Sequence, residues 1–396
     1  MTSSQKNRMK SRDHNAHSVS LCAGHSGLTG GTGFIGSHCV VELIQANHSV
    51  TVISNLANSV TDSNGYPVSL KRVELITGKN IKFRKVDLLN LLDLEKVFED
   101  EKFDIVMHFA SLKGVGVSCK EPLKFYYSNV VGSLNLISVI INIKGRPHSS
   151  KPANTLCKKY CVKKFIFSSS PAVYGKPIKF PIKEEYATGV GITNPYGKSK
   201  YMIEKILNDI TLIDKEWKII SLRYFNPIGA HPSGIIGENP TEIPDQLMPF
   251  IIQVLKRKLP YLTVFGNDFE TPDRTCIRDY IHVVDAARGH LSALNRIANG
   301  KCGGFEMYNL GMGKGHSVME IVKAMEYATG KNIPIKIMPR RLGDVPCLCC
   351  DPTLAAKNLN WKTTFTLDEM CRDVFNWLKK NPNGFDDEKK QELKQG

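Results

Sequence analysis

The sequence predicts an α/β fold, a doubly wound parallel sheet joined to a smaller C-terminal α/β domain. Strand-like apolar runs alternate with helical stretches through residues 28–226, the pattern of strand–helix–strand units with buried strands. Several of these runs end in small polar residues, and ligands gather at the carboxyl ends of strands in such sheets. After Asn226 the texture turns rich in Pro and Gly, as in NPIGAHPSGIIGENPTEIPDQLMP, which marks long loops in a second domain over 227–385.

In chain order, residues 1–27 read as a divergent, disordered N-terminal extension. They are basic and Ser-rich, and no apolar segment follows that would make a signal peptide. LTGGTGFIGSH (28–38) then sets Gly30, Gly33 and Gly36 in a G-x-x-G-x-x-G pattern leading into a helix. The stretch before it, SLCAGHSG, makes a poor strand; a first strand there either survives on tertiary context or is missing. SVTVIS (49–54) is β-branched and IKFRKVDL (81–88) alternates, while FDIVMHFAS (103–111), VKKFIFSSS (162–170) and WKIISLRYFN (217–226) are apolar runs. GSHCVVELIQAN, LLDLEKVFEDE, VGSLNLISVIINI and KSKYMIEKILNDIT carry the helical pattern between them. Residues 145–158 read as a polar loop, EMYNLGMG (306–313) as a strand returning to the main sheet, and 386–396 as a charged tail.

Composition excludes several functions. A net charge of +15 is spread along the chain apart from Lys6, Arg8, Lys10 and Arg12, so it reads as solvated surface that also attracts anionic ligands. No finger spacing and no basic region with heptads is present, so no nucleic-acid partner is expected. No apolar run reaches the roughly 18 residues of a membrane span, so no membrane partner is expected either. The 11 cysteines include Cys347, Cys349 and Cys350, and Cys157 and Cys161, but no matching second pair or His stands at zinc spacing. Free thiols in a reducing, cytoplasmic compartment, and no metal site, are the expectation.

Three features bear on chemistry. Glycines at 30, 33 and 36 allow a tight turn and a close backbone approach to a pyrophosphate, with the following helix offering unpaired N–H groups. In YGKSK, Tyr196 and Lys200 are four apart and share one helix face. A Tyr hydroxyl, with an ordinary pKa near ~10, becomes a base at neutral pH only if a nearby cation stabilises the phenolate. Ser170 closes the run FIFSSS, where it can pass a proton between a substrate hydroxyl and Tyr196. Each feature alone has a bland reading: a plain turn, a surface pair, a strand end. Their order and spacing together describe one chemistry, in which a tyrosinate removes a hydroxyl proton while a nicotinamide takes the hydride from the same carbon.

The stretches TGGTGFIGSH, HFASLKGVG, FIFSSS, NPYGKSK, LRYFNPIGAHPSG, VFGND and RDYIHVVD resemble the extended short-chain dehydrogenase/reductase family, and within it the 4-epimerases acting on UDP-glucose and UDP-galactose. The resemblance runs from Leu28 to Phe385. It implies a Rossmann-type NAD-binding domain over 28–226, a mainly UDP-sugar-binding domain over 227–385, and a homodimer. It also implies reversible epimerisation at C4, in galactose metabolism: Tyr196 takes the 4-hydroxyl proton, NAD takes and returns the hydride, and the 4-keto sugar turns over in between. Lys200 is then expected to lower the tyrosine pKa and hold the nicotinamide ribose, and Ser170 to bond the 4-oxygen. By the same resemblance Gly30, Gly33, Phe34, Ile35 and Gly36 hold the pyrophosphate. Asp87 and Leu88 flank the adenine, Phe109 and Lys113 lie along the cofactor, and Tyr224 lies near the nicotinamide. Phe225, Asn226, Gln246, Leu247, Thr263, Val264, Phe265, Arg278, Arg341, Asp344 and Leu348 are expected around the UDP-sugar.

The chain also departs from that pattern. The acid that meets the adenosine ribose is replaced by Ser54; Asn55 and Asn58 remain, and no Arg takes its place, so weaker NAD retention is expected rather than a switch to NADP. SSSPAVYG puts Ala172 where a threonine is usual, and Asp245–Gln246 replaces a pair of asparagines. DRTCIRDY adds Arg274 and Cys276, and Leu348 stands where the sugar's 2-substituent is limited. Two other readings compete with this one. A nucleotide-sugar dehydratase or decarboxylase needs a further acid near the serine, where Pro171 and Ala172 stand. A non-catalytic binding member is opposed by the intact Ser170, Tyr196 and Lys200.

Overall fold

The computed structural model describes residues 24–141, 162–177, 179–240, 246–341 and 344–386. The expectations for residues 1–23, the loop at 145–158, Cys157, Cys161, Asp245 and the tail beyond 386 lie outside the described residues.

The chain opens with β1 (His25–Thr29), α1 (Phe34–Gln45), β2 (Ser49–Ser54), α2 (Val68–Thr77), β3 (Lys82–Lys85), α3 (Leu91–Asp100) and β4 (Ile105–His108). Two short helices, α4 (Val115–Lys120) and α5 (Pro122–Phe125), lead through a π-helical turn at Tyr126–Val131 into α6 (Gly132–Ile141). Then come β5 (Lys164–Ser169), a 3-10 turn at Pro171–Tyr174, α7 (Pro195–Ile213), β6 (Lys218–Tyr224) and β7 (Asn226–Ile228). The remainder holds α8 (Leu247–Leu255), β8 (Leu262–Phe265), β9 (Ile277–His282), α9 (Val283–Ala298), β10 (Phe305–Leu310) and β11 (Gly315–Ser317). It ends with α10 (Val318–Thr329), β12 (Ile335–Met338), β13 (Cys347–Leu348), α11 (Thr353–Leu359) and α12 (Leu367–Lys380).

Seven strands form one parallel sheet in the order β10-β6-β5-β4-β1-β2-β3. The order reverses between β1 and β4, where a crevice opens at the carboxyl ends. One face is covered through Val40, Leu43, Val73 and Leu294, the other through Phe98, Leu136, Ile203 and Leu207. β10 joins β6 over Phe305–Leu310, as the stretch 306–313 suggested. β7, β11 and β13 gather around β9, while β8 and β12 pair separately. Met248, Ile251, Tyr280, Ile321, Met370 and Val374 fill the core beneath them.

The first strand is present, and it corrects the boundary drawn at residue 28: residues 25–27 belong to the sheet, not to an extension. HSGLT has little strand propensity of its own. It is held by parallel ladders on both sides, to β2 and to β4. The His25 N–H donates to Asp104 Oδ2 at 2.7 Å, and His25 Nε2 meets Thr51 Oγ1 at 2.9 Å. At Gly27 a Cβ would sit 3.1 Å from the Phe103 ring, a tight contact that the ring would have to yield to by a few tenths of an ångström.

Candidate active site

The glycine loop is shaped by close approach. Gly30 has φ 71°, and a Cβ there would lie 2.6 Å from the Ala110 nitrogen. A Cβ at Gly36 would lie 2.4 Å from the Gly30 carbonyl oxygen, so α1 rests on the loop itself. Gly33 caps α1 with no side-chain bond, which leaves first-turn N–H groups for an anion. The side chains of Phe34 and Ile35 pack inward against Val283, Val284 and Phe365, so these two residues offer the loop their backbone only. This cradle fits a dinucleotide pyrophosphate.

At the end of β2, Ser54 Oγ meets Thr32 Oγ1 at 2.9 Å, and Ser59 Oγ donates to Thr32 Oγ1 at 2.8 Å. Asn55 Nδ2 donates to Asp87 Oδ2 at 2.9 Å, and Asn58 lies in the same turn, exposed. Leu88 is buried and packs into the core. Phe109 and Tyr224 flank the buried His290, with ring centroids 4.6 and 5.7 Å away. Lys113 Nζ bonds Glu238 Oε1 at 2.6 Å and Gln246 Oε1 at 3.3 Å, which ties the β4 loop to the loop before α8.

Tyr196 lies in the first turn of α7, where Asn194 caps the helix by accepting from the Gly197 N–H at 2.8 Å. Ser170 follows β5 and caps the 3-10 turn, its oxygen accepting from the Ala172 N–H at 3.2 Å. That bond occupies a serine lone pair and leaves the hydroxyl hydrogen free to turn toward the Tyr196 phenol. Burial pushes the phenol above its ordinary pKa, while the neighbouring Ser170 hydroxyl and the Lys113 ammonium pull it down.

Lys200 is 2% exposed and donates to the Ser168 carbonyl at 2.8 Å, with its Nζ 5.9 Å from the Tyr196 ring centre. Burial lowers its pKa to about 7, opposed by Glu204. The charged neighbour that lowers the Tyr196 pKa is Lys113.

Other residues complete the site without a motif to announce them. Asn129, fully buried on the π-helical turn, accepts from the Leu112 N–H at 2.8 Å and donates to Ser199 Oγ at 3.1 Å. Ser199 in turn donates to the Tyr196 carbonyl at 2.7 Å. His108 bridges Thr29 and Ser133 at 2.7 Å each, and burial holds its pKa down at about 3, so it stays neutral. Glu204 takes Arg223 in a buried pair at 2.6 Å and accepts from Ser169 at 2.6 Å, fixing α7 to the sheet. Glu204 was reachable from spacing, since 196, 200 and 204 share one helix face.

At the second domain, Arg278 Nη1 donates to Val345 O at 2.9 Å, and its Nη2 lies 3.6 Å from Asp344 Oδ1. Arg341 Nε meets Asp344 Oδ2 at 3.0 Å, and its guanidinium lies 5.0 Å from the centre of the Phe265 ring. Leu348 pairs with Arg278 between β13 and β9. Asn226 Nδ2 donates to Asp279 O at 2.8 Å, Gln246 caps α8 ahead of Leu247, and Thr263 stands half-buried in β8. Val264, in β8, and Phe225, between β6 and β7, are each 2% exposed with their side chains in the core. They offer a ligand their backbone only. Cys347 and Cys349 lie 3.5 Å apart as free thiols.

A tyrosine beside a strand-end serine, a lysine one turn on and a glycine cradle make a site suited to dinucleotide-dependent oxidation and reduction of a hydroxyl carbon. The chain belongs to the NAD dependent epimerase/dehydratase family, which it matches over residues 27–311. It is 49% identical to a UDP-glucose 4-epimerase of Caenorhabditis elegans, covering 91% of this chain and 99% of that one. It is 46% identical to the bovine (Bos taurus) UDP-glucose 4-epimerase, covering 90% and 97%. Among solved structures, the Bifidobacterium longum UDP-glucose 4-epimerase in complex with NAD+ and UDP superposes with a TM-score of 0.82 at 43% identity, covering 91% and 99%.

Proposed function

We propose that this chain interconverts UDP-galactose and UDP-glucose by inverting C4 of the hexose. The observation that carries the reading is the meeting of Ser170, at the carboxyl end of β5, with the Tyr196 phenol, whose pKa it lowers, and with Lys200 one helical turn away. NAD, when bound on the glycine cradle, supplies a group that accepts a hydride and gives it back. Gly30, Gly33 and Gly36 would receive its pyrophosphate, with Phe109, Lys113 and Tyr224 along its length.

Tyr196 Oη withdraws the proton from the sugar 4-hydroxyl and later returns it to the 4-oxygen. Ser170 steadies the phenolate by donating to it, and Lys113 lowers the cost of its charge. Lys200, one helical turn from Tyr196 with its Nζ 5.9 Å from the ring centre, is placed to favour the phenolate when charged and to hold the nicotinamide ribose. Arg278 and Arg341 present forked donors suited to a diphosphate, so the nucleotide end is held while the hexose end is free to turn. Asn226, Gln246, Leu247, Thr263, Phe265, Asp344 and Leu348, with the backbone at Phe225 and Val264, surround that UDP-sugar.

This reading divides the chain into an NAD-binding part up to residue 226 and a mainly UDP-sugar-binding part beyond it. A homodimer fits the exposed Leu123, Tyr127, Leu134 and Met202 on α5, the π turn, α6 and α7. A cytoplasmic setting fits the free thiols and the lack, among the described residues, of any helix long and apolar enough to cross a membrane. The test is a coupled assay for UDP-galactose to UDP-glucose conversion with product mass determined. Conversion at unchanged mass supports epimerisation, loss of water shows dehydration, and no turnover with UDP bound shows a binding member.

A further inference from the structure

This inference rests on the dinucleotide reading above and concerns the adenosine ribose. In doubly wound folds the residue ending the second strand meets that ribose. A carboxylate there accepts from its hydroxyls and repels a 2′-phosphate, whereas a nearby cation accommodates the phosphate. Here β2 ends in Ser54, whose oxygen accepts from the Leu56 N–H at 3.2 Å and meets Thr32 Oγ1. Ser59 completes a cluster of three hydroxyls. Hydroxyls both donate and accept, so the cluster can bond a ribose hydroxyl or a phosphate oxygen. The acid of this region, Asp87, is engaged by Asn55 Nδ2 and by the Leu89 N–H at 2.8 Å.

Strand pairing adds a second, independent observation. β2 and β3 are in register with Ser54 opposite Lys85. Residues paired across neighbouring strands put their side chains on the same face of the sheet. Lys85 is exposed, and its Cα pairs with that of Ser54 one strand over, so its flexible side chain has the reach to bring the ammonium to the hydroxyl cluster. Because Lys85 is distant in sequence, searching next to Ser54 for a basic residue misses it.

We propose that this chain holds 2′-phosphorylated and unphosphorylated nicotinamide dinucleotides comparably, with Ser54, Thr32 and Ser59 bonding the ribose or its phosphate and Lys85 balancing the phosphate charge. To test this, the full-length protein is equilibrated with equimolar NAD and NADP and separated from free ligand, and the retained dinucleotides are quantified by chromatography. The two should be retained within about tenfold of each other. Ser54→Asp should cut the NADP share at least about 100-fold by like-charge repulsion, and Lys85→Glu about tenfold. A wild-type preference for NAD beyond about tenfold, or a Ser54→Asp variant with an unchanged ratio, overturns the proposal. Retention of neither dinucleotide overturns the cofactor reading itself. Retention of NAD alone leaves that reading standing and removes only this one.

Discussion

The proposed dinucleotide end of the molecule is built from backbone, and the proposed UDP-sugar end from charged side chains. At the first, Gly30, Gly33 and Gly36 matter for the atoms they lack, and even the strand beneath them can be written HSGLT. At the second, Arg278, Arg341 and Asp344 are tied to one another and to Val345 and Phe265 by bonds that depend on the side chain present. A backbone-built site tolerates changed side chains until a Cβ enters it. A charge-built site tolerates a change of shape poorly even when the charge is kept. Tyr196 and Lys200 sit between the two.

The largest effect should come from breaking the junction. Tyr196→Phe removes the proton acceptor and should lower kcat by about 10³-fold or more while a UDP ligand still binds, as read by steady-state kinetics and calorimetry. Kinetics within tenfold of wild type would remove Tyr196 as the base. Next comes the backbone-built end. Gly36→Ala drives a Cβ to within 2.4 Å of the Gly30 carbonyl oxygen. The loop must shift, so retained dinucleotide should fall about 100-fold and stability by about 1–3 kcal/mol. Unchanged retention would mean that the cradle is more yielding than its geometry implies.

The charge-built end should respond differently. Arg278→Lys keeps the charge but loses the fork that reaches Val345 and Asp344. KM for the UDP-sugar should rise about tenfold, with kcat and retained dinucleotide little changed. A fall in dinucleotide retention as large as that of Gly36→Ala would erase the contrast between the two ends.

A smaller effect separates the junction by pH. Lys200 binds its proton below 10.5 in the unfolded chain and only below about 7 when folded. Between those values the unfolded chain holds more protons, so stability rises with pH across that window and is lost as pH falls through 7. Lys200→Met should flatten this rise, measured as denaturation midpoints at pH 7 and pH 9. An equally steep variant would show that another group supplies it.

What the sequence disclosed follows the same division. The runs at 49–54, 103–111, 162–170 and 217–226 showed β2, β4, β5 and β6 because their pattern is local. Gly30–Gly36 and Tyr196–Lys200 were legible because fixed spacing is all that their geometry needs. Asn129 was not, since its partners Leu112 and Ser199 come from other segments. Helix α2 was also missed; it follows Pro67 with no side-chain cap and an ordinary polar face. The stretch LTVF (262–265) placed Val264 near a ligand but gave no sign of which neighbour would turn into the core.

The smallest effect belongs to β1, the strand that local pattern argued against. Replacing His25 with Val would give HSGLT a β-branched residue, a change of up to about 1 kcal/mol in favour of the strand. It would remove the bond to Thr51 Oγ1 and the ring packing on Phe103, whose centroid is 5.0 Å away, each a loss of about 1 kcal/mol. The backbone N–H to Asp104 stays, as do both ladders. The losses exceed the gain, so stability should fall by about 1–2 kcal/mol while dinucleotide retention stays as it is. Loss of bound dinucleotide in His25→Val would mean that side chains, not ladders, hold this strand, and the backbone-built description of that end would fail at its first element.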